Sequence, residues 1–280
     1  VSLNQCEPRV MPYWSGKQVV EDGLAQPFTG SPTEAVDALE RLLKDAVGQQ
    51  MMADVPLGAF LSGGVDSSTV VALMQAQSSR PVRTFSIGFY EDGYNEAQHA
   101  KAVAQHLGTD HTEWYATPQD ALGVISRLPV LYDEPFADSS QIPTFLVAQM
   151  TRQHVAVSLS GDAGDELFGG YNRYVLTRRL WGRLAHLPVG VRQVLAGVIT
   201  AVSPQAWDAF AKPLLAVLPK GMDAVHVGDK LHKGAGVLAS RSSAELYRGM
   251  MSHWPDPASL VLGAEEHATV LTDPTLQPLV

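Results

Sequence analysis

The feature that most constrains the fold is a glycine turn that joins two apolar runs of different periodicity. An apolar segment at residues 57–61 stops at Ser62-Gly63-Gly64, the first glycine turn, and residues 70–74 then place valine, leucine and methionine at helical spacing. This order predicts a strand, a tight turn and a helix. Glycines let backbone N–H groups converge on an anion, and a helix N-terminus adds partial positive charge. The turn is therefore predicted to bind a phosphate group.

Polar side chains in this segment favour the phosphate of a nucleotide together with a divalent cation. Ser62, Ser67 and Ser68 carry hydroxyl groups that can donate hydrogen bonds. Asp66 would repel a phosphate unless a cation such as Mg²⁺ lay between them. The segment is not the GxxxxGK[ST] loop, because it lacks the lysine and its two glycines are adjacent. An ordinary strand-to-helix turn is the alternative.

Strand and helix patterns alternate through the first half of the chain. The predicted strands are residues 57–61, 82–89, 111–115 and 154–159, and the predicted helices are residues 66–77, 95–107, 118–131 and 143–153. Such alternation predicts an α/β fold with a parallel β-sheet and helices on both faces. Ligands of these sheets bind beyond the carboxyl ends of the strands. The turns that follow the first, second and fourth strands are therefore the candidate site.

The fourth predicted strand leads into the second glycine turn, residues 160–164, within the sequence SGDAGDELFGGY. Asp162, Asp165 and Glu166 place three carboxylates in five residues, which repel one another unless cations or hydrogen-bond donors compensate. Gly161 lets the backbone approach a ligand closely. A solvated acidic loop is the alternative, but it does not explain the apolar strand beside it. The segment is predicted to complete the nucleotide site.

Taken together, the sequences FLSGGVDSS (residues 60–68) and LSGDAGDELFGGY (residues 159–171) resemble the synthetase domain of class B, glutamine-dependent asparagine synthetases. That family belongs to the ATP pyrophosphatase (PP-loop) superfamily. The resemblance implies an adenine nucleotide α-hydrolase-like fold and an AMP-forming amide ligase. In that reaction aspartate is activated by ATP as β-aspartyl-AMP, which ammonia converts to asparagine. β-Lactam synthetases share the first turn but have a tyrosine where this chain has Asp162.

The resemblance also implies roles for individual residues. Asp66 and Asp165 would hold Mg²⁺, and Asp162 and Asp165 would act in catalysis. The nucleotide would contact residues of the two turns and of the strand ends: Phe60, Ser62, Gly63, Gly64, Asp66, Ser67, Ile87, Ser160 and Gly161. For Asp162, a hydrogen bond within its own loop is the alternative.

Two regions are predicted along the chain. Residues 1–30, rich in proline, glycine and polar residues, are predicted to be a linker that follows an absent glutaminase domain. Residues 31–280 are predicted to form the ATP-binding synthetase domain, truncated at its C-terminus and with a helical extension after residue 171. A capping box at residues 31–34 marks the start of the globular structure.

The sequence differs from the family's pattern in two respects, and these differences leave other functions possible. Its amidotransferases begin with a catalytic cysteine whose free α-amine is the base, whereas Val1 is first here and Cys6 is internal. The lysine segment that the family carries downstream has no counterpart before Val280. The alternatives are an amidotransferase that acts on another carboxylate and an ATP-binding fragment without turnover.

Composition limits the partners and the location. The net charge of −9 and the lack of a basic block argue against a nucleic-acid partner. A single cysteine excludes an intramolecular disulfide, and no run approaches the roughly 18 apolar residues of a membrane span. The expected partners are therefore ATP, aspartate or another carboxylate, and ammonia. A cytoplasmic location is predicted, and a homodimer is left open.

Two further features carry weaker signals. Residues 132–140 combine proline with polar side chains, which is typical of a substrate-facing loop or of an ordinary turn. Asp133 and Ser139 are the candidates there. None of the nine histidines has HExxH or paired-ligand spacing, so His106, His111 and His154 are predicted to be structural.

Overall fold

The computed structural model describes residues 11–90, 95–134, 138–215, 227–252 and 257–265. The chain divides into two compact units, Val1–Phe168 and Gly169–Val280. The strands of the first unit are β1 (Leu57–Phe60), β2 (Arg83–Phe89), β3 (Asp110–Ala116) and β4 (Val157–Leu159). Its helices are α1 (Gly16–Ala25), α2 (Pro32–Gln50), α3 (Val65–Gln77), α4 (Ala97–Leu107), α5 (Pro118–Ile125), α6 (Leu128–Leu131), α7 (Gln141–Thr151) and α8 (Gly164–Phe168).

The four strands form one parallel sheet in the order β3-β2-β1-β4. In the register, Phe60 of β1 pairs with Phe85 of β2, and Ala59 pairs with Leu159 of β4. The chain leaves β1 toward β2 and β3 and then returns to the other side of β1 with β4. This reversal of direction creates a crevice beyond the carboxyl ends of β1 and β4, where ligands of such sheets bind.

Helices cover both faces of the sheet, which confirms the predicted α/β class. One apolar cluster joins β1 to α2, α3 and α4 through Val47, Val71 and Ala100. A second cluster joins β2 and β3 to α5 and α7 through Val124 and Leu146. The β2 residues in the second cluster, Ile87 and Phe89, lie two positions apart and so share one face of the sheet, as the two-residue period of a strand requires.

Local sequence explains where the helices begin and end. Ser31 and Glu34 form the predicted capping box at the start of α2, in which the Ser31 N–H donates to Glu34 Oε2 at 2.7 Å. The predicted single helix over residues 118–131 is wrong, because the structure has α5 and α6 there. Pro129 lies in the first turn of α6 and has no N–H to donate to the carbonyl four residues earlier, that of Ile125, which is where α5 ends.

Two other predicted boundaries differ from the structure. Helix α1 lies within the predicted linker, with Ser15 as its N-cap and none of its residues buried. Strand β4 is shorter than predicted and covers Val157–Leu159, because a turn follows α7, with the His154 N–H donating to the Thr151 carbonyl at 2.9 Å.

Two of the three histidines predicted to be structural make packing or hydrogen-bonding contacts within the first unit; the third, His106, lies exposed in the last turn of α4. His111 Nδ1 lies 2.9 Å from the hydroxyl of the fully buried Thr84. Burial lowers the pKa of His111. The ring of His154 lies 5.5 Å from that of Phe85. These contacts agree with structural roles.

The second unit is helical, as predicted for the region after residue 171. It contains α9 (Asn172–Leu184), α10 (Val189–Ala201), α11 (Pro204–Leu215), α12 (Val227–Leu238), α13 (Ser243–Met251) and a 3₁₀ helix (Pro257–Leu260). Helix α12 packs against α10, α11 and α13. Arg192 of α10 is 3% exposed, and its guanidinium donates to the carbonyls of Leu187 (3.1 Å), Leu238 (2.8 Å) and Ser240. This side chain therefore joins α10 to the end of α12.

Arg192→Lys is expected to destabilise the protein by about 2 kcal/mol, because a lysine cannot reproduce the planar fork of donors and leaves buried carbonyls unsatisfied. Urea denaturation measures the change in the free energy of unfolding. Arg179→Lys, the same substitution at an exposed position of α9, is the control and should have little effect. Equal unfolding free energies for the two variants would contradict the assignment.

Within the described ranges, no single helix is long and apolar enough to cross a membrane. One bent pair of helical segments, Gly164–Leu184 and Val189–Ala201, meets the length and composition criteria when both are counted together.

Candidate functional site

The first glycine turn is held in shape by its own hydroxyl groups. The Ser62 N–H donates to Ser67 Oγ at 3.2 Å, and the two hydroxyl oxygens lie 2.9 Å apart. The Gly64 N–H donates to Ser62 Oγ at 3.2 Å. The buried Ser86 of β2 donates its hydroxyl to the Leu61 carbonyl, immediately before the turn. The turn is thus fixed by the sheet and by its own side chains.

Helix α3 presents its N-terminal backbone groups beside this turn. Gly64 is the N-cap and provides no side-chain hydrogen bond. The Ser68 N–H donates to the Gly64 carbonyl at 3.1 Å, so the preceding N–H groups of Val65, Asp66 and Ser67 have no partner within the helix. These N–H groups and the helix dipole make the position suitable for an anion.

The N-terminal turn of α4 packs against the same glycine turn. Gly63 has φ +82°, a conformation that side chains disfavour, and a Cβ there would lie 2.6 Å from the Ala100 nitrogen. That Cβ would also lie 2.8 Å from the Cβ of His99. Two helix N-termini, those of α3 and α4, therefore meet at the first glycine turn.

His99 was not singled out by the sequence analysis. The available signal was its position in the helix that follows β2, one of the three strand ends considered for the site. The packing of α4 on Gly63 could not be derived from that signal, because it depends on tertiary structure.

The structure brings the second glycine turn directly onto the first segment. A Cβ at Gly161 would lie 2.6 Å from the Ser67 nitrogen and 2.9 Å from the Asp66 carbonyl carbon. A Cβ at Gly164 would lie 2.5 Å from Asp66 Cγ and 2.7 Å from Asp66 Oδ1. Because both glycines lack side chains, the two turns can meet where β1 and β4 end.

Acidic side chains surround this contact. Asp66 and Asp165 are both half-buried, and Asp165 follows the glycine that touches the Asp66 carboxylate. Asp162 is exposed, and its Oδ2 accepts a hydrogen bond from the Ser160 hydroxyl at 2.8 Å. In the part of the chain that the structure describes, no three His, Cys, Asp or Glu side chains form a metal-binding cluster. Mg²⁺ is commonly held by one or two carboxylates together with substrate phosphates, so two aspartates suffice chemically.

The remaining candidate residues are less closely associated with the contact. Phe60 is half-buried at the end of β1. The side chain of Ile87 packs into the second apolar cluster, which leaves its backbone groups for any ligand contact. Asp133 and Ser139 are exposed. Residues 135–137, between them, lie outside the described part of the chain.

The candidate site is an open edge of the sheet. A groove of about 580 Å³ borders Ser160 and is lined mainly by α2, Val70 and Leu159. A second groove of about 490 Å³ lies between α5 and α7 and contains none of the candidate residues. Of the candidate residues, only Ser160 lines either groove, so the two glycine turns remain the candidate site.

Ala163 adopts a strained conformation in the second glycine turn. Its φ of +73° is the one positive value found at a non-glycine position within the described ranges. The Gly164 N–H donates to the Gly161 carbonyl at 3.3 Å, which closes a turn around Ala163. For an L-residue this left-handed conformation costs about 1–2 kcal/mol.

Ala163→Gly is expected to raise the free energy of unfolding by about 0.5–1 kcal/mol, because the relief of strain exceeds the entropic cost of glycine in the unfolded chain. Chemical denaturation measures this change. Ala102→Gly, in the exposed middle of α4, should lower stability by about 1 kcal/mol. Loss of stability in both variants would show that Ala163 is not strained.

The family model for asparagine synthase matches residues 38–276. The chain belongs to the asparagine synthase family. This membership confirms the resemblance inferred from the two glycine turns and assigns the chain to a synthetase domain of the PP-loop superfamily.

Curated relatives carry the same family name. Asparagine synthetase [glutamine-hydrolyzing] 1 of Bacillus subtilis is 36% identical over 183 residues, which is 64% of this chain and 28% of that protein. A provisionally named asparagine synthetase [glutamine-hydrolyzing] 2 of Methanocaldococcus jannaschii is 42% identical over 165 residues, 59% of this chain and 29% of that protein. Asparagine synthetase B [glutamine-hydrolyzing] of Escherichia coli is 33% identical over 151 residues, which is 48% of this chain and 26% of that protein. This asparagine synthase chain therefore spans less than a third of the length of these relatives.

Proposed function

We propose that this chain provides the ATP-using, AMP-forming part of an asparagine synthetase. The observation that carries the proposal is the contact between the two glycine turns, in which Gly161 and Gly164 lie against Asp66 and Ser67. A phosphate-binding turn and an acidic turn thus share one edge of the sheet. Membership of the asparagine synthase family supports the same activity.

The first glycine turn would hold the β- and γ-phosphates of ATP. Ser62, Gly63, Gly64 and Ser67 supply hydroxyl and N–H groups there, beside the N-termini of α3 and α4. The adenine and ribose would lie along the strand ends, near Phe60, Ile87, Ser160 and Gly161, partly on backbone groups.

Asp66 and Asp165 would hold Mg²⁺, since the Asp66 carboxylate lies against Gly164 and Asp165 is the next residue in the chain. The ion, when bound, neutralises the charge of the pyrophosphate leaving group, which is the largest electrostatic contribution available to such a displacement. The donor set fits this ion, because Mg²⁺ prefers carboxylate and phosphate oxygens.

The proposed reaction has two steps. A side-chain carboxylate oxygen of aspartate attacks the α-phosphorus of ATP, and the bond to pyrophosphate breaks, giving β-aspartyl-AMP. Ammonia then attacks the acyl carbon, and AMP leaves as asparagine forms. Asp162, oriented by the Ser160 hydroxyl, would accept the proton from ammonia or orient the substrate amino group.

The proposal extends to the arrangement of the full-length protein. Residues 31–280 would form the synthetase domain and residues 1–30 a linker from a glutaminase domain that supplies ammonia. The names of the relatives include glutamine hydrolysis, which supports a glutaminase domain as the partner. We also propose a cytoplasmic location. A homodimer is a further hypothesis, which measurement of the molecular mass in solution would test.

Exchange of labelled pyrophosphate into ATP, in the full-length protein, tests the function. Exchange that requires aspartate is the expected result, because formation of β-aspartyl-AMP is reversible. Exchange that requires a different carboxylic acid would instead indicate an amidotransferase with another acceptor. ATP binding without exchange, for every acid tested, would indicate a nucleotide-binding domain without turnover.

A further inference from the structure

We propose that His99 is a further phosphate-binding residue of the nucleotide site, acting with the first glycine turn. The inference rests on the proposed ATP-binding function and adds a residue from α4 to it. The packing of α4 on Gly63 and the distribution of charge around the turn support this role.

The position of His99 is set by a close backbone contact. Its Cβ would lie 2.8 Å from a Cβ at Gly63, and its main-chain carbonyl carbon would lie at the same distance. Gly63 is the central residue of the first glycine turn. The side chain of His99 therefore starts directly beside the backbone that would hold the phosphates.

The direction of the side chain follows from helix geometry. Cα–Cβ bonds in a helix tilt toward its N-terminus, and α4 begins at Ala97, two residues before His99. In a parallel α/β sheet the N-terminus of such a helix lies at the carboxyl edge of the strands. His99 thus leans toward the edge where the ligand would bind. Its side chain is exposed and has no hydrogen-bond or ion-pair partner within the described ranges.

Charge makes His99 distinctive at this edge. Residues 60–68, 95–100 and 159–171, which supply the two turns and the start of α4, contain no lysine or arginine, and His99 is their one histidine. Lys101 follows on α4 but is paired with Glu113 of β3 at 2.9 Å. The other charged groups of these elements are acidic: Asp66, Glu96, Asp162, Asp165 and Glu166. An imidazole N–H, neutral or protonated, is a donor that a polyphosphate can use.

The experiment measures the Kd of Mg-ATP by calorimetry and the KM for ATP in pyrophosphate exchange, with the full-length protein. His99→Ala should raise both constants about tenfold, the loss expected for one charge-assisted hydrogen bond. The KM for aspartate and the Tm should stay unchanged. His99→Lys should restore ATP binding, because it returns an N–H donor to the same position.

His106→Ala is the matched control, since His106 is exposed in the last turn of the same helix and should not affect ATP binding. If His99→Ala bound Mg-ATP as tightly as the wild-type protein, and the wild-type protein exchanged pyrophosphate, the role of His99 would be overturned. The proposed function would be unaffected by that result. Equal weakening in His99→Lys and His99→Ala would also overturn it, since it would indicate a packing effect. A wild-type protein that does not bind Mg-ATP would overturn the proposed function as well.

Discussion

Asp66→Asn is expected to reduce aspartate-dependent pyrophosphate exchange at saturating ATP by about 100- to 1,000-fold. The substitution removes the charge with which Asp66 would hold Mg²⁺ on the pyrophosphate, and electrostatic groups of this kind contribute factors of about that size. The Asp66 carboxylate lies against Gly164, so asparagine, which has nearly the same shape, fits the same space. The rate of exchange at several Mg²⁺ concentrations, in the full-length protein, provides the measurement.

Asp37→Asn is the control for this variant, because Asp37 is an exposed aspartate on α2, in the same unit of the chain. It should exchange pyrophosphate at the wild-type rate. Unchanged exchange and unchanged Mg²⁺ dependence in Asp66→Asn would show that the metal role belongs to another residue.

Gly161→Ala is expected to separate the two glycine turns and to abolish most of the exchange activity. The new Cβ would lie 2.6 Å from the Ser67 nitrogen and 2.9 Å from the Ser67 Cα, which are backbone atoms that no side-chain rotation can move. Overpacking of this kind costs about 1–3 kcal/mol of stability. A displacement of about 1 Å at a reacting centre lowers rates by about 100-fold. Chemical denaturation and pyrophosphate exchange measure the two effects.

Gly123→Ala is the matched control, because Gly123 lies in α5 and nothing would come within 4 Å of its Cβ. It should raise stability by about 0.5–1 kcal/mol, since alanine favours a helix over glycine. If Gly161→Ala retained wild-type stability and exchange, the close contact between the turns would not be required for activity.

Local sequence was sufficient to predict the elements whose determinants lie within a few residues. The Ser31–Glu34 capping box predicted the start of α2, and the first glycine turn predicted the change from β1 to α3. The helix predicted over residues 118–131 was wrong because apolar periodicity continues across the break between α5 and α6, whereas Pro129 cannot donate the backbone hydrogen bond that would join them. Helix α1 was missed because its few apolar residues, Val19, Val20 and Leu24, stand in a stretch rich in glycine, proline and polar residues, and they are exposed in the structure.

In the candidate site, too, some features follow from local sequence and others depend on the tertiary structure. Each glycine turn could be recognised alone, because the turn residues and the acids are adjacent in sequence. The contact of Gly161 with Ser67 joins residues that are 94 positions apart in sequence, and it depends on the order of the strands in the sheet. The contact of Gly63 with His99 of α4 joins residues that are 36 positions apart, and it depends on the packing of that helix.

The sequence by itself determined the α/β class, the family and the candidate residues for phosphate and metal binding, since these depend on short patterns of side chains. Only the tertiary structure decided that β4 lies beside β1, that the second glycine turn lies against Asp66, and that the N-terminal turn of α4, with His99, packs on the first glycine turn. The physical reason is that strand order and helix packing minimise the free energy of the whole fold. No short segment carries that information.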